Sequence, residues 1–243
     1  MGNNVNLAKL PVLFKKVEQN YNNTHKNKVT VDKDISTTGM VFGHLMPYDV
    51  LESGYRTHKE NKLMEDVRKL SSIKAKSGKK VEPQDIYKIS LELNKGDRVK
   101  ALITAQDALK MTGRAREIGS VYDDKVGIEK LVGEKFFNNY VKKHDGEFNE
   151  SMADKMGEAY LASILTPIKD NKDFAGKYYH MFGTAAAGTT GKFGEFATNF
   201  HGKFIVPMRE LFGFSKANSE NNYINEKLPC DEAGLAISKE LNK

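Results

Sequence analysis

The sequence predicts a mainly α-helical protein, an irregular helical bundle with an extended, partly irregular N-terminal segment. Three observations support this. Apolar residues recur at helical spacing from about residue 59 onwards, capping and helix-ending residues bracket these stretches, and strand-like alternation is nearly absent after residue 55. We expect three segments: an irregular N-terminal segment over 1–55, a helical domain over 56–214, and a polar linker with a C-terminal helix over 215–243.

The N-terminal segment is rich in asparagine and is predicted to contain one short helix. That helix spans about Leu7–Tyr21, with Pro11 in its first turn, where a missing backbone N–H costs little. The stretch Thr24–Gly43 alternates polar and β-branched residues and favours one short strand.

Four helices are predicted between residues 59 and 143. Gly78 ends the first, Pro83 opens the second, and Asp97 caps the third. The fourth is expected to run unbroken from about Gly127 to Lys143. The apolar stripe of the first helix consists of Leu63, Val67, Leu70 and Ile73.

The C-terminal half continues the helical pattern. Asn149 caps a helix that Pro167 stops, and Asp173 caps another that runs to about residue 187. A turn at residues 189–191 leads to a helix that reaches towards residue 206, and a last helix begins near Asp231. The sole cysteine, Cys230, lies in a polar stretch and is predicted to be a surface thiol.

Positive charge is concentrated in the first half of the chain. The net charge is +6, and residues 1–120 hold 22 Lys/Arg against 14 Asp/Glu. Most of these bases alternate with acids, as on solvated helix faces, so nucleic acid is not the expected partner. One stretch without acids is predicted to bind anions, such as an anionic membrane or nucleic acid; its lysines are Lys74, Lys76, Lys79 and Lys80.

Several function classes lack their motifs. The sequence has no Walker A loop, dinucleotide glycine pattern, HExxH, GxSxG or EF-hand. His144-Asp145 lies in a polar helix end and is interpreted as a surface pair near a helix C-terminus. No integral membrane span is expected, and no signal peptide is recognisable. We expect a protein that is secreted without a recognisable signal peptide, or cytoplasmic.

The segment from Asp173 to His201 carries the candidate chemistry. A reversal near Thr190 would place two helices antiparallel, with His180 ten residues before the turn and His201 eleven after it. The two imidazoles would then lie level with each other. Small residues around His180 would allow a neighbouring backbone or a ligand to approach closely.

Such a pair favours acid–base or metal chemistry. His180 and His201 could bind a divalent metal or exchange protons near neutral pH. Asp173 and Glu195 would orient the histidine rings or ligate the metal, and Tyr179 would lie beside them. The alternative interpretation is that both histidines are packing residues and that the glycines and alanines only allow helices to cross closely.

The stretch DFAGKYYH, followed by GKFGEFATNFHGKF, resembles a His-bearing helical module of bacterial secreted and polymorphic-toxin-like proteins. The resemblance covers about 35 residues, and Gly202 stands where that module has an acidic residue. It implies a bacterial effector or toxin-like helical protein, a His- or metal-dependent hydrolase. Two alternatives stay open: a non-enzymatic helical protein that binds a partner or host protein, and binding to an anionic membrane or nucleic acid through the basic half.

Overall fold

The described part of the chain consists of helices joined by turns. The computed structural model describes residues 4–31, 53–113, 125–144, 146–149, 151–168, 174–189 and 228–243. Across these ranges there is a 3-10 turn at Leu7–Lys9 and no strand, only isolated β-bridges. The predicted mainly helical, bundle-like fold is confirmed. The α-helices are α1 (Leu10–Thr24), α2 (Ser53–Ala75), α3 (Pro83–Leu93), α4 (Arg98–Gly113), α5 (Lys125–Val132), α6 (Glu134–Lys143), α7 (Met152–Ile164), α8 (Phe174–Thr189) and α9 (Leu228–Leu241).

Helix α8 is central to the core. It packs against α4 and α9, and every residue from Met181 to Thr189 is buried. Its sequence there is MFGTAAAGT, in which small side chains let both neighbouring helices approach closely. A Cβ atom added at Gly183 would lie 2.8 Å from the side chain of Gln106 on α4. The small residues of α8 therefore allow its neighbouring helices to approach closely.

Helix α1 is part of the same core. Phe14 is fully buried and stacks on Tyr87 of α3, with ring centroids 4.7 Å apart. Glu18, 3% exposed, accepts two hydrogen bonds from the Arg98 guanidinium, at 2.6 and 2.8 Å, and one from the Tyr87 hydroxyl at 2.7 Å. These contacts join α1 to α3 and α4. The division into three segments stays a prediction, and the described contacts pack helices from all three together.

Local signals located most helix ends. The Asp97 carboxylate accepts a hydrogen bond from the Lys100 backbone N–H at 3.1 Å, as expected of a residue that caps α4. The turn after α2 contains Gly78 with a φ of +66°, and Pro83 is the first residue of α3. The strand interpretation beyond residue 31 and the predicted helix at 192–206 lie outside the described residues.

Three local predictions were wrong. The expected continuous helix from Gly127 to Lys143 is two helices, because Gly133 adopts a φ of +84° and ends α5. The buried face of α2 does not extend to the last residue of the predicted apolar stripe. Leu63 and Val67 are buried, whereas Ile73 is 63% exposed. Cys230 is 1% exposed, because α9 turns that face inwards against the core.

The buried Tyr160 hydroxyl makes stability depend on alkaline pH. No hydrogen bond of good geometry reaches it within the part of the chain that the structure describes, and burial, partly opposed by the nearby Arg68 guanidinium, raises the pKa of Tyr160 to about 12. Because the folded pKa exceeds the unfolded value near 10, the contribution of the neutral phenol is complete below pH 10 and is lost as pH rises towards 12. We expect this loss to reach about 2–3 kcal/mol.

Tyr160→Phe should therefore flatten the fall in unfolding free energy between pH 10 and 12, measured by urea denaturation. At pH 7 it should be as stable as the parent, because it loses no hydrogen bond. Tyr140→Phe, whose hydroxyl is much less buried, is the control and should change the alkaline slope less. An unchanged slope in Tyr160→Phe would contradict the prediction.

Candidate functional site

The candidate site lies where α9 runs along α8. Contacts pair His180 with Asp231, Thr184 with Gly234, and Gly188 with Ser238, so residue numbers rise together along the two helices. The two helices are therefore parallel. Their N-terminal ends lie at the same end of the pair, and this is where the candidate residues meet.

Two glycines set the separation between α8 and α9. A Cβ atom added at Gly234 would lie 2.5 Å from the Met181 carbonyl oxygen. One added at Gly188 would lie 2.6 Å from the Ser238 Cβ atom. Both distances are shorter than real side chains allow, so the helices pack with backbone close to backbone. This approach lets short side chains reach across the interface.

A His–Asp pair bridges the two helices. The His180 Nδ1 atom lies 3.3 Å from the Asp231 Oδ1 atom, and the two side chains are 15% and 14% exposed. The Thr184 hydroxyl donates a hydrogen bond of 2.9 Å to the same oxygen. Asp231 is in the first turn of α9, where the helix dipole favours negative charge. One carboxylate oxygen of Asp231 thus contacts two side chains of α8, those of His180 and Thr184.

This contact favours one tautomer of His180. A carboxylate only accepts hydrogen bonds, so the contact is favourable when Nδ1 carries the proton. In the neutral ring of that tautomer the lone pair resides on Nε2. Tyr179 stacks on the His180 ring with centroids 4.6 Å apart and restricts its orientation further.

The described residues contain only part of the predicted site. His180 and Tyr179 are adjacent on α8 and are both partly buried. Asp173, Glu195 and His201 lie outside the described residues, so the level pair of imidazoles stays a prediction. Within the described ranges there is no group of three His, Cys, Asp or Glu side chains arranged to hold a metal.

The carboxylate beside His180 was not among the predicted residues. Asp231 was expected only at the start of a C-terminal helix beyond a polar linker. Its signal was the first-turn position in LPCDEAGLA, where Pro229 and an acid mark a helix start and Gly234 marks a close approach. No local pattern connects that helix to α8, which is some 50 positions earlier in the chain.

The predicted anion-binding lysines do not form one free cluster. Lys74 forms an ion pair with Asp85 of α3, and the Lys80 Nζ atom donates to the Ala162 carbonyl oxygen at 2.6 Å. Lys76 and Lys79 are exposed in the turn after α2. The site therefore offers fewer unengaged charges than four lysines suggest.

Comparison with known proteins does not add an identity. No family model, curated protein or solved structure matches this chain. Across the described residues, none of the helices is long and apolar enough to cross a membrane.

Proposed function

We propose that this chain is a helical bacterial effector or toxin-like hydrolase in which His180 is the general acid–base and Asp231 orients its ring. The observation that supports the proposal is the 3.3 Å contact between His180 Nδ1 and Asp231 Oδ1 at a partly exposed position. A carboxylate that holds an imidazole in one tautomer is the usual partner of a catalytic histidine. The effector class is supported by the sequence resemblance described above.

In this mechanism Nε2 takes a proton from a water or hydroxyl nucleophile and returns one to the leaving group. Asp231 stabilises the imidazolium that forms, and Thr184 keeps the carboxylate in place. A positioned acid–base group contributes about 10²–10⁴-fold to rate. A divalent metal held with His201 stays part of the prediction, and metal analysis of the purified protein tests it.

The test compares turnover of p-nitrophenyl acetate and p-nitrophenyl phosphate, together with growth inhibition on cytosolic expression in a bacterial host. His180→Ala and His180→Gln should lose at least about 100-fold in turnover and should not inhibit growth. Both should retain helical circular dichroism. His144→Ala is the matched control, because His144 is an exposed histidine at the C-terminal end of α6.

A second measurement needs no substrate. The ¹⁵N chemical shifts of His180 should report a protonated Nδ1 in the neutral ring, and Asp231→Asn should remove that preference. Full turnover in both His180 variants would overturn the proposal, even with the tautomer as expected.

The second candidate function is a non-enzymatic protein that binds a partner protein. His180, Asp231 and Thr184 connect two packed helices, and in this alternative their role is structural and not catalytic. It predicts that His180→Ala lowers unfolding free energy without changing any turnover.

A further inference from the structure

One end of the bundle is formed by three chain segments that run side by side. Residues 165–168 pair with Val81 near their start and with Val5 at their end. The Val81 N–H donates to the Ile164 carbonyl oxygen at 2.9 Å, and the Val5 N–H donates to the Pro167 carbonyl oxygen at 2.9 Å. These bonds bring the turn after α2 and the start of α1 to the same end of the molecule.

The two outer segments are both basic and free of acids. Residues 67–81 include six Lys/Arg and no Asp/Glu, and residues 1–17 include three lysines and no Asp/Glu. Residues 165–168, between them, carry no charge. The fold therefore concentrates positive charge by joining two stretches that are some 60 positions apart in the chain.

Four lysines of these stretches are exposed to solvent. Lys76 and Lys79 lie in the turn after α2, and Lys9 and Lys16 lie at the start of α1. None of the four forms an ion pair within the described ranges. The turn itself is held in place, because Lys74 pairs with Asp85 and the Lys79 N–H donates to the Lys74 carbonyl oxygen at 3.0 Å.

Acids close to this surface are fewer and mostly engaged. Glu82 and Asp85 form the capping box of α3. The first turn of α9 adds Asp231, which contacts His180, and the exposed Glu232. With Glu232 counted, the exposed charge at this end is still positive.

Aliphatic side chains are exposed in the same two stretches. Ile73 is 63% exposed on the last turn of α2, and Val12 is 53% exposed on α1. Val12 lies three positions after Lys9 and four before Lys16, so the three residues share one face of the chain at the start of α1. Each exposed aliphatic side chain would gain free energy by leaving water for an apolar phase.

Lysines beside aliphatic side chains favour a lipid surface over nucleic acid. Nucleic-acid sites typically use arginine and aromatic side chains, which bind phosphates or stack on bases. The exposed residues described within 4–17 and 67–81 include neither type. A bilayer with anionic headgroups offers negative charge at its surface and an apolar interior directly beneath it.

We propose that this end of the bundle binds the surface of a membrane that contains anionic lipids. The exposed lysines contact the headgroups, and Ile73 and Val12 enter the boundary with the acyl chains. Such peripheral binding needs no helix that crosses the bilayer. It is independent of any catalytic role of His180.

The test uses the absence of tryptophan from the chain. Ile73→Trp places one fluorophore at the proposed contact in the full chain, at about 0.1 M salt. Vesicles of phosphatidylcholine with about 30% phosphatidylserine should shift its emission to the blue, and vesicles of phosphatidylcholine alone should not. Lipids brominated in the acyl chains should quench it. Lys142→Trp, at an exposed position of α6, is the control and should show neither effect.

Two further variants test the charge and the apolar contact separately, by sedimentation with the same vesicles. Lys76→Gln/Lys79→Gln should weaken binding roughly 10- to 30-fold, about fivefold for each lysine near an anionic surface. Lys142→Gln/Lys143→Gln removes the same charge from exposed positions of α6 and should change binding little. Val12→Ser/Ile73→Ser should weaken binding at unchanged net charge.

Three results would overturn the proposal: equal binding to vesicles with and without phosphatidylserine, unchanged emission of Ile73→Trp on the anionic vesicles, or unchanged binding of Lys76→Gln/Lys79→Gln. A DNA duplex of about 20 base pairs is the competing anion. If it displaces the chain from the vesicles at equal phosphate concentration, the surface attracts anions in general and the proposal is also wrong. Retained helical circular dichroism shows that each variant is folded.

Discussion

Glu18→Ala is expected to lower the unfolding free energy by about 3–5 kcal/mol, the cost typical of breaking a buried ion pair. The Glu18 and Arg98 side chains are 4% and 12% exposed, so solvent screens them little. Removing the carboxylate leaves the guanidinium without its counter-charge and the Tyr87 hydroxyl without its acceptor. Unfolding by guanidinium chloride at pH 7 measures the effect. Parent and variant are compared with the same dependence of unfolding free energy on denaturant concentration.

The pKa directions agree with a desolvated network. Burial raises the pKa of Tyr87 well above its ordinary value, and the Glu18 charge raises it further. Burial alone would lower the pKa of Arg98, but the hydrogen bond and charge of Glu18 outweigh it. Tyr87 therefore stays a neutral donor and Arg98 stays charged across the working pH range.

A triple variant separates the cost of an orphaned charge from the value of the pair. Glu18→Leu/Arg98→Met/Tyr87→Phe replaces the network by apolar side chains and should recover most of the stability lost in Glu18→Ala. A loss below about 1 kcal/mol in Glu18→Ala would mean that the pair behaves like an exposed one.

Gly157→Ala is expected to lower the unfolding free energy by about 3 kcal/mol or more. A Cβ atom at Gly157 on α7 would lie 1.6 Å from the Thr112 carbonyl oxygen of α4. That neighbour is backbone, so α7 as a whole must move away from α4. Thermal and chemical denaturation should both show the loss, with the far-ultraviolet helical signal retained below the transition.

The sign of this prediction depends on the contact and not on helix propensity. Alanine in an unobstructed helix is about 1 kcal/mol better than glycine, so Gly157→Ala would stabilise α7 if the space were open. Gly78→Ala is the control: no atom lies within 4 Å of its added Cβ, and its φ of +66° costs only about 1–2 kcal/mol. Equal effects at the two positions would rule out the close contact.

Local signals predicted the helices well because their cause is local. Pro83 and Asp97 mark helix starts through backbone groups within one turn, and the structure has helices beginning at Pro83 and Arg98. The continuous helix across residue 133 was mispredicted because glycine is compatible with a helix interior and with a positive φ. The Arg68 side chain, 65 positions earlier in the chain, lies where a Cβ at Gly133 would collide.

Only part of the candidate site was predictable from the sequence. His180 and Tyr179 were predicted from a small-residue, aromatic helix, but Asp231 belongs to a helix predicted only as a C-terminal helix after a polar linker. Likewise Cys230 reads as exposed in its polar surroundings and is buried, because α9 packs on α8 and α1. Partners distant in sequence leave no local pattern.

The sequence by itself determined the helical class, most helix starts and the unusual character of the His180 segment, because capping, proline placement and apolar spacing act within one or two turns. Only the tertiary structure decided that α8 is central and that Asp231 and Thr184 share one oxygen beside His180. Those outcomes depend on glycines that let helices from distant parts of the chain approach to backbone contact. Such close approach is a property of the assembled core.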